Sequence, residues 1–342
     1  MAVLCITSMK RLHICVSAGY SEVVVLQFRG DHILFRAYGV HIIGVALVIL
    51  LGFLDVNQHG FCSAQEIECD VVTTGRQLDP ATLASTFDVA ALGTIGVGNA
   101  PEQPMTIRRG RGDEATFVRA YVPCVLVKSH GAVESEQTRG ALIFNGWKQF
   151  NAPPGFEGET VVNTDAGLCA YGIMQLIDGM NADRPWPPGG GFSPQRVAGQ
   201  SSYNIAAGVK LLIHKWNNIP QVVGENDPYV VEDWYFASWA YFGLTEADNP
   251  TDPRFPPNRG DWQCAQDPTQ QRINWPYQEL VWGCARNPPR IGTTNTPLWT
   301  AVPLTLPDRG LFANGIPNEI PRPLPAHGSC RLDVVYLPLI RR

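Results

Sequence analysis

Apolar side chains recur at helical spacing in the central part of the chain. The clearest case is SSYNIAAGVKLLIHKWNN, 201–218, where every third or fourth position is apolar. Ser201 or Ser202 would cap its N-terminus, because a hydroxyl accepts hydrogen bonds from the free backbone N–H groups there. The pattern predicts an amphipathic helix whose buried face contains Ile205, Gly208, Val209, Leu212, Ile213 and Trp216.

Further segments show the same spacing. ATFVRAYVPCVLVKSHGAVESE contains Pro123, which should start or kink a helix. NDPYVVEDWYFASWAYFG offers Asp227 as a cap and Pro228 as the first helical residue. It closes at Gly243, which suits the left-handed conformation that ends many helices. PYQELVWGCAR, 276–286, predicts a last helix, and YGIMQLIDGM predicts a short buried one.

Outside these segments the periodic pattern is lost. Residues 65–112 contain Gly and Pro without a sustained period, which indicates an N-terminal extension. Its basic stretch IRRGRGD, 107–113, is typical of a solvated loop. Frequent Pro and Gly predict loops at 183–194 and 249–262. Beyond Asn287 the chain is either a linker with a fragment of a β module, in which VVYL forms a strand, or a strap over the helical domain.

The N-terminal part contains an uncharged apolar run, HIIGVALVILLGFL, 41–54. A membrane-spanning helix needs about 20 such residues, so the run is short for that purpose. It fits the apolar core of a secretory signal preceded by Arg29 and Arg36, with small residues near a cut after Ala64. We expect export to the cell envelope or beyond, with the leader either removed or kept as a membrane anchor through 41–54.

We therefore divide the chain into a leader (1–64), an N-terminal extension (65–113), a helical domain (114–290) and a Pro-rich tail (291–342). The fold class is mainly α, with long Pro/Gly-rich loops and an irregular tail that can hold a β segment. A hydrophobic content of 45% supports a globular core. The net charge of −5 gives no general attraction to nucleic acid, and we expect a monomer.

Cysteine usage is consistent with export. A cut after Ala64 would leave an even set, which in an exported chain suggests three disulfides. The set is Cys69, Cys124, Cys169, Cys264, Cys284 and Cys330. Cys264 with Cys284 is the preferred local pair, because it closes the loop between two predicted helices. In the alternative, Cys124 is a buried thiol in its apolar run. The scattered His and Cys residues predict neither a metal site nor a cofactor.

Glu134 ends the apolar run VPCVLVKSHGAVESE. A buried carboxylate is costly unless it is protonated or paired, so burial raises its pKa. The negative end of the helix dipole acts in the same direction. A general acid must keep its proton near the working pH, and this environment favours that. Glu134 is therefore a candidate general acid, and the alternative is a partly exposed residue at a helix end.

Four short motifs occur in order along the helical region. They are Glu134-Ser135, Gly-Ile-Met-Gln-Leu at 172–176, Asn204-Ile205 followed by Gly208, and Ala-Tyr-Phe-Gly at 240–243. Their order and their settings resemble the SLT-type lytic transglycosylases, which have a lysozyme-like α+β fold. The resemblance covers about half of the chain. It implies a peptidoglycan-cleaving enzyme that acts on glycan strands without a cofactor.

The resemblance also implies a double role for Glu134. It would protonate the oxygen that leaves C1 of N-acetylmuramic acid, and then take the proton of the 6-hydroxyl of the same sugar to close a 1,6-anhydro ring. Gln175 and the Met174 backbone would line the sugar groove, Tyr241 would hydrogen-bond near the carboxylate, and Asn204 would hold its helix beside the site. The substrate-binding residues implied are Ser135, Met174, Gln175, Asn204 and Tyr241.

Other chemistry stays open at this point. Asp165, or Glu136, would be a second carboxylate able to activate water, and the enzyme would then be a hydrolytic muramidase. Phe242 stands where the family has Asn, and an insertion lengthens the stretch between Glu134 and Gln175. A cell-wall binding module without turnover is therefore the third hypothesis.

The aromatic residues are expected to divide between core and site. Trp234 and Trp239 lie in a helical pattern and more often fill a core than stack on sugar. Trp147, Trp186 and Tyr171 lie in predicted loops or at their edges, where they are candidates for stacking on sugar rings.

Overall fold

The computed structural model describes residues 2–8, 11–18, 22–29, 32–36, 78–95, 106–135, 147, 162–163, 170–178, 192–264, 267, 269–290 and 296–328. The chain divides into two compact units, 1–66 and 67–342. The first unit contains an antiparallel meander of strands β1 (Ala2–Ser8), β2 (Arg11–Ala18), β3 (Glu22–Arg29) and β4 (His32–Arg36). The apolar run at 41–54 and the cut after Ala64 lie outside the described residues.

The described part of the second unit is mainly α, as predicted. Its helices are α1 (Pro80–Ala91), α2 (Cys124–Ser135), α3 (Pro194–Gly199), α4 (Ser201–Asn218), α5 (Tyr235–Phe242) and α6 (Tyr277–Arg286). Short strands form an antiparallel pair β5 (Thr106–Arg109) with β6 (Thr116–Arg119), another pair β7 (Val162–Asn163) with β8 (Ala170–Tyr171), and a parallel pair β9 (Val222–Val223) with β10 (Glu319–Ile320). None of the described helices has the length and apolarity to cross a membrane.

Helix α4 packs against α1, α3 and α5, while α2 packs against α1 and α6. The core between them is rich in large aromatic side chains. Trp216 of α4 and Trp234 have ring centroids 4.4 Å apart, and Trp239 is fully buried. The prediction that Trp234 and Trp239 fill the core is confirmed. This core fixes the ends of α2, α5 and α6 relative to one another.

Helix α1 lies in the segment for which the sequence predicted no regular element, and that expectation is wrong. Asp79 is its N-cap, because the carboxylate accepts from the backbone N–H groups of Ala81 and Thr82, and Pro80 is its first residue. Leu83 and Phe87 are fully buried in the core. The Asp79-Pro80 pair is a sequence signal for the start of a helix. The hydrophobic periodicity after it is weak and gave no indication of a helix.

Four other local predictions are corrected. Thr116–Arg119 is a strand rather than the start of a helix, and Ile107 of the supposed solvated loop is fully buried in strand β5. Residues 171–176 form a tight turn instead of a short helix. Helix α4 does begin at Ser201, but its N-cap is Gln200 without a side-chain cap bond.

Helix ends near the site are mostly as predicted. Helix α2 begins directly after Pro123, and α5 ends at Gly243, whose φ is 133°. Asp227 caps only a turn, since its carboxylate accepts from the N–H of Tyr229, and a 3₁₀ turn at Val231–Trp234 precedes α5. The helix predicted over this whole segment is therefore much shorter than expected.

Residues 296–328, here called the strap, lie over the helical region. Their apolar side chains enter the core and strand β10 pairs with β9. Ion pairs join Arg309 to Glu279 and Arg322 to Asp233, and His327 Nδ1 lies 2.6 Å from Glu232 Oε1. The buried apolar residues of the strap are Trp299, Leu304, Phe312 and Ile320. The strap alternative is therefore confirmed for 296–328, and VVYL lies outside the described residues.

The predicted disulfide between Cys264 and Cys284 is confirmed, with a Cα–Cα distance of 4.7 Å. Cys124 is also disulfide-bonded, so the alternative of a buried thiol is wrong. Cys69, Cys169 and Cys330 lie outside the described residues. The bridge at Cys284 ties helix α6 to the loop that precedes it.

Candidate active site

Glu134 lies one residue before the end of α2, and its side chain is half-buried. Burial raises the pKa of Glu134 from its ordinary 4.5 to about 7, against the opposing effects of the Tyr277 hydroxyl and the Arg272 guanidinium. A carboxyl with this pKa holds its proton about half of the time at neutral pH. The prediction from the sequence was that this glutamate keeps its proton, and the structure supplies the environment for it.

Tyr277 is the side chain in contact with the carboxyl. It is the first residue of α6, it is buried, and its hydroxyl donates to Glu134 Oε1 over 2.5 Å. Burial and the charge of Glu134 raise the pKa of Tyr277 well above its usual value, so the phenol stays protonated and acts as the donor. Nearby, Arg272 Nη1 donates to the Val133 carbonyl over 2.6 Å, beside the carboxyl rather than onto it.

Behind Tyr277 lies a buried polar chain. His130 Nδ1 is 2.9 Å from the Tyr277 hydroxyl, and His130 Nε2 is 3.0 Å from Ser238 Oγ. Burial lowers the pKa of His130 to about 3, so the imidazole is neutral. The Tyr277 proton is committed to Glu134, so Nδ1–H must donate to the Tyr277 oxygen and Nε2 must accept from Ser238. The hydroxyl of Ser238, the Nδ1–H of His130 and the hydroxyl of Tyr277 therefore all donate in the direction of the Glu134 carboxyl.

Tyr241 lies close to the same group. Its ring centroid is 4.9 Å from that of His130 and 6.4 Å from that of Tyr277, which it stacks nearly parallel to. Its hydroxyl donates to the Met174 carbonyl over 2.6 Å. The expected proximity of Tyr241 to the carboxyl is present, and its hydrogen bond serves to attach the 171–176 turn to α5.

Asn204 explains why the second and third motifs occur together. Its side chain is fully buried, accepts from the N–H of Met174 over 2.9 Å and donates to the carbonyl of Tyr171 over 2.8 Å. A Cβ on Gly172, whose φ is 75°, would lie 1.8 Å from the Asn204 amide nitrogen. Only glycine therefore lets the turn approach α4 this closely.

Gly208 serves the same contact one turn further along α4. A Cβ there would come within 2.8 Å of several Met174 side-chain atoms. The Met174 side chain is fully buried against this glycine, so only its backbone faces the site. Gln175 follows with a φ of 46°, is half-buried, and donates from Nε2 to the Gly172 carbonyl over 2.8 Å. Strained backbone at Gln175 is consistent with a functional turn.

The residues predicted for the site thus separate into two groups. Tyr241 lies near Glu134 and donates to the Met174 carbonyl, and Gln175 follows in the same turn. Ser135 and Asn204 are instead buried, and both hydrogen-bond to backbone groups. The Ser135 hydroxyl donates to the Gly131 carbonyl over 2.5 Å. Asp165, Glu136 and Trp186 lie outside the described residues.

Two aromatic predictions need correction. Trp147 is fully buried, with its ring centroid 5.0 Å from that of Phe87 and 5.6 Å from that of Trp299. Tyr171 is 2% exposed. Neither ring can stack on a sugar, because core side chains cover both.

Sequence reasoning missed Tyr277, His130 and Ser238. Tyr277 is separated from Glu134 by 143 positions, and Ser238 from His130 by 108. No local spacing connects them. The one available signal was polar character on otherwise apolar helices, which holds for His130 in VLVKSHGAV and for Ser238 in YFASWAY.

Among the described residues, no group of three or more His, Cys, Asp or Glu side chains is placed to hold a metal ion. No protein-family model, curated protein or solved structure matches the chain. The chemistry available at the site is therefore argued from its own groups: one acid with a pKa near neutrality, a neutral donor chain behind it, and a rigid turn beside it.

Proposed function

We propose that this chain is an exported lytic transglycosylase with a lysozyme-like catalytic domain, which cleaves the β-1,4 bond between N-acetylmuramic acid and N-acetylglucosamine in peptidoglycan. The observation that supports this best is the half-buried Glu134 with a pKa of about 7, held by the neutral hydroxyl of Tyr277. The motif order along 134–243, with a buried Asn204 joining two of the motifs, supports the same proposal.

The proposed reaction uses the one carboxyl twice. Protonated Glu134 gives its proton to the glycosidic oxygen as the C1–O bond breaks. The carboxylate then takes the proton of the 6-hydroxyl while that oxygen bonds to C1. The products are a free hydroxyl on the leaving sugar and a 1,6-anhydro ring, and Glu134 is protonated again. No water is consumed, and Glu134 both gives the first proton and takes the second.

A pKa near the working pH suits this double role, because a group that must both give and take a proton is most effective there. Tyr277 occupies Oε1, which leaves Oε2 as the oxygen that faces the glycan. The donor chain from Ser238 through His130 fixes the direction of the Tyr277 hydroxyl. The Glu134 carboxyl is thereby held in one orientation before substrate arrives.

The test is to digest purified peptidoglycan with the protein and with Glu134→Gln, and to weigh the fragments by mass spectrometry. Glu114→Gln is the matched control, since Glu114 is exposed on the turn between β5 and β6. We expect fragments one water lighter than hydrolysis products from the parent and from the control, and none from Glu134→Gln.

Other results would decide among the alternatives. Reducing ends would show a hydrolytic muramidase and make Asp165 the next residue to change. Absence of fragments from every protein, with binding to peptidoglycan retained, would leave a wall-binding module and overturn the enzymatic proposal.

A further inference from the structure

Phe242 is an aromatic side chain that the fold leaves open beside Glu134. It is the last residue of α5 and is 54% exposed, whereas Tyr235, Phe236 and Trp239 of the same helix are at most 1% exposed. Leaving a large ring partly in water forgoes the stabilisation that its full burial would give. Phe242 is the most exposed ring of α5, and its contact with Tyr277, which binds Glu134, makes it a candidate for contact with a ligand.

The Phe242 ring is held in a fixed position. It stacks on Tyr277 with a centroid distance of 4.8 Å and an angle of 10° between the rings. The backbone that follows is also fixed, because Gly243 and Leu244 both have positive φ and both donate to the Trp239 carbonyl. The two stacked rings are here called the aromatic platform. One face of Phe242 is covered by Tyr277, so its exposure comes from the remaining surface.

The platform adjoins the reacting group through Tyr277. The hydroxyl edge of Tyr277 contacts Glu134, while Phe242 covers the face of the same ring. A ligand lying on Phe242 is therefore beside the acid and offset from it. The sugar that is attacked would lie at Glu134 itself. Phe242 would contact a neighbouring sugar of the same glycan chain.

The surroundings of Phe242 favour a small flat ligand with one apolar face. Gly243, Thr245 and Glu246 follow it and are exposed, so the exposed residues directly after the ring are small or polar. A protein partner would need roughly 1,000 Å² of complementary surface. A net charge of −5 and the adjacent carboxyl disfavour a nucleic-acid base. A pyranose ring has C–H groups on one face and hydroxyls at its edge, which fits an aromatic ring among polar groups.

We propose that the aromatic platform of Phe242 and Tyr277 is a subsite that holds a pyranose ring of the glycan beside Glu134. This proposal rests on the proposed function for the identity of the glycan. Phe242 stands where the transglycosylases that this chain resembles have Asn.

The experiment measures binding of a peptidoglycan tetrasaccharide to Glu134→Gln by isothermal titration calorimetry, so that no turnover occurs. Phe242→Leu in this background keeps an apolar side chain but removes the flat ring. We expect it to weaken binding about ten-fold, in the range of aromatic contact energies. Phe242→Trp should retain binding. Phe117→Leu is the matched control, because Phe117 on β6 is 64% exposed and should change nothing.

The outcomes separate this subsite from the catalytic proposal. Equal affinity of Phe242→Leu and its parent overturns the platform while leaving cleavage by the unmodified protein intact. Failure of the Glu134→Gln parent to bind the tetrasaccharide also overturns it. Ring-dependent binding in a protein that cuts no peptidoglycan would support the platform and leave a carbohydrate-binding groove without catalysis.

Discussion

Glu279 and Glu134 are both shielded from water, but the groups that donate hydrogen bonds to them differ. Glu279 on α6 is 3% exposed and receives Arg259 Nη2 at 2.6 Å and Arg309 Nη2 at 3.0 Å. Glu134 on α2 receives a single neutral hydroxyl, from Tyr277. A charge that is paired on both sides is a structural link. Burial raises the pKa of Glu134 to about 7, because the Tyr277 hydroxyl and the charge of Arg272 offset only part of that effect, so this carboxyl is able to give and to take a proton near neutral pH.

The carboxylates that contact the strap resemble Glu279, because basic side chains lie against them. Arg322 binds Asp233 through two bonds of 2.7 Å, and His327 Nδ1 lies 2.6 Å from Glu232 Oε1. Burial raises the pKa of Asp233 even so, since it outweighs the opposing effect of Arg322. Pairing therefore offsets only part of the cost of removing this carboxyl from water.

Breaking the paired carboxyl should have the largest effect. Glu279→Gln leaves Arg259, whose side chain is 1% exposed, without a counter-charge. We expect the free energy of unfolding to fall by about 3–5 kcal/mol, as for other buried ion pairs that lose one partner. Urea denaturation would measure it, with Glu225→Gln at an exposed side chain as the control. A loss no larger than that of the control would contradict the structural role of Glu279.

Neutralising the unpaired carboxyl should act in the other direction. The folded-state pKa of Glu134 is about 7 and its ordinary value is 4.5, so folding favours the protonated form. Stability is fully present below pH 4.5 and falls as the pH rises to 7. Glu134→Gln should therefore be about 1–3 kcal/mol more stable than the parent at pH 8, a range reduced because the side chain is only half-buried.

At pH 4 the gain of Glu134→Gln should vanish, since the parent is then protonated as well. Thermal unfolding of both proteins at the two pH values would measure this difference. A difference in stability that does not change between pH 4 and pH 8 would show that folding does not raise the pKa of Glu134 above its ordinary value.

Removing the neutral donor should have the smallest effect. The Tyr277 hydroxyl lowers the pKa of Glu134, so Tyr277→Phe should raise it further above 7. Carboxyl ¹³C NMR titration would follow Glu134 directly, and Tyr229→Phe is a control at a partly exposed ring away from the carboxyl. An unchanged pKa would mean that the 2.5 Å contact contributes no net stabilisation of the ionised form.

The sequence indicated Glu134 because one carboxylate ended an apolar helix, which is a local signal. It could not indicate Tyr277, since 143 positions separate the two residues and only the tertiary packing of α6 against α2 brings them together. His130 lies within the same helix as Glu134, yet its role depends on Tyr277 and Ser238, which come from elsewhere. The pattern thus located the acid, and tertiary packing determined what surrounds it.

The turn at 171–176 shows a second reason why local structure could not be predicted from the sequence alone. Its apolar residues resemble a helix in spacing, but Gly172 and Gln175 both have positive φ. Asn204 accepts from and donates to backbone groups of this turn, which a helix would have satisfied internally. A single distant amide therefore overrides the local preference, and no window of neighbouring residues contains that information.

The strap also determines which fragment of this protein can be expressed and studied alone. A polypeptide that stopped at residue 290 would retain Asp233 and Glu232 in its interior while losing Arg322, the ion-pair partner of Asp233, and His327, which contacts Glu232. Uncompensated charges of this kind favour unfolding and proteolysis in cells. A workable truncation therefore has its C-terminal boundary after residue 328, even though every candidate catalytic side chain lies before residue 280.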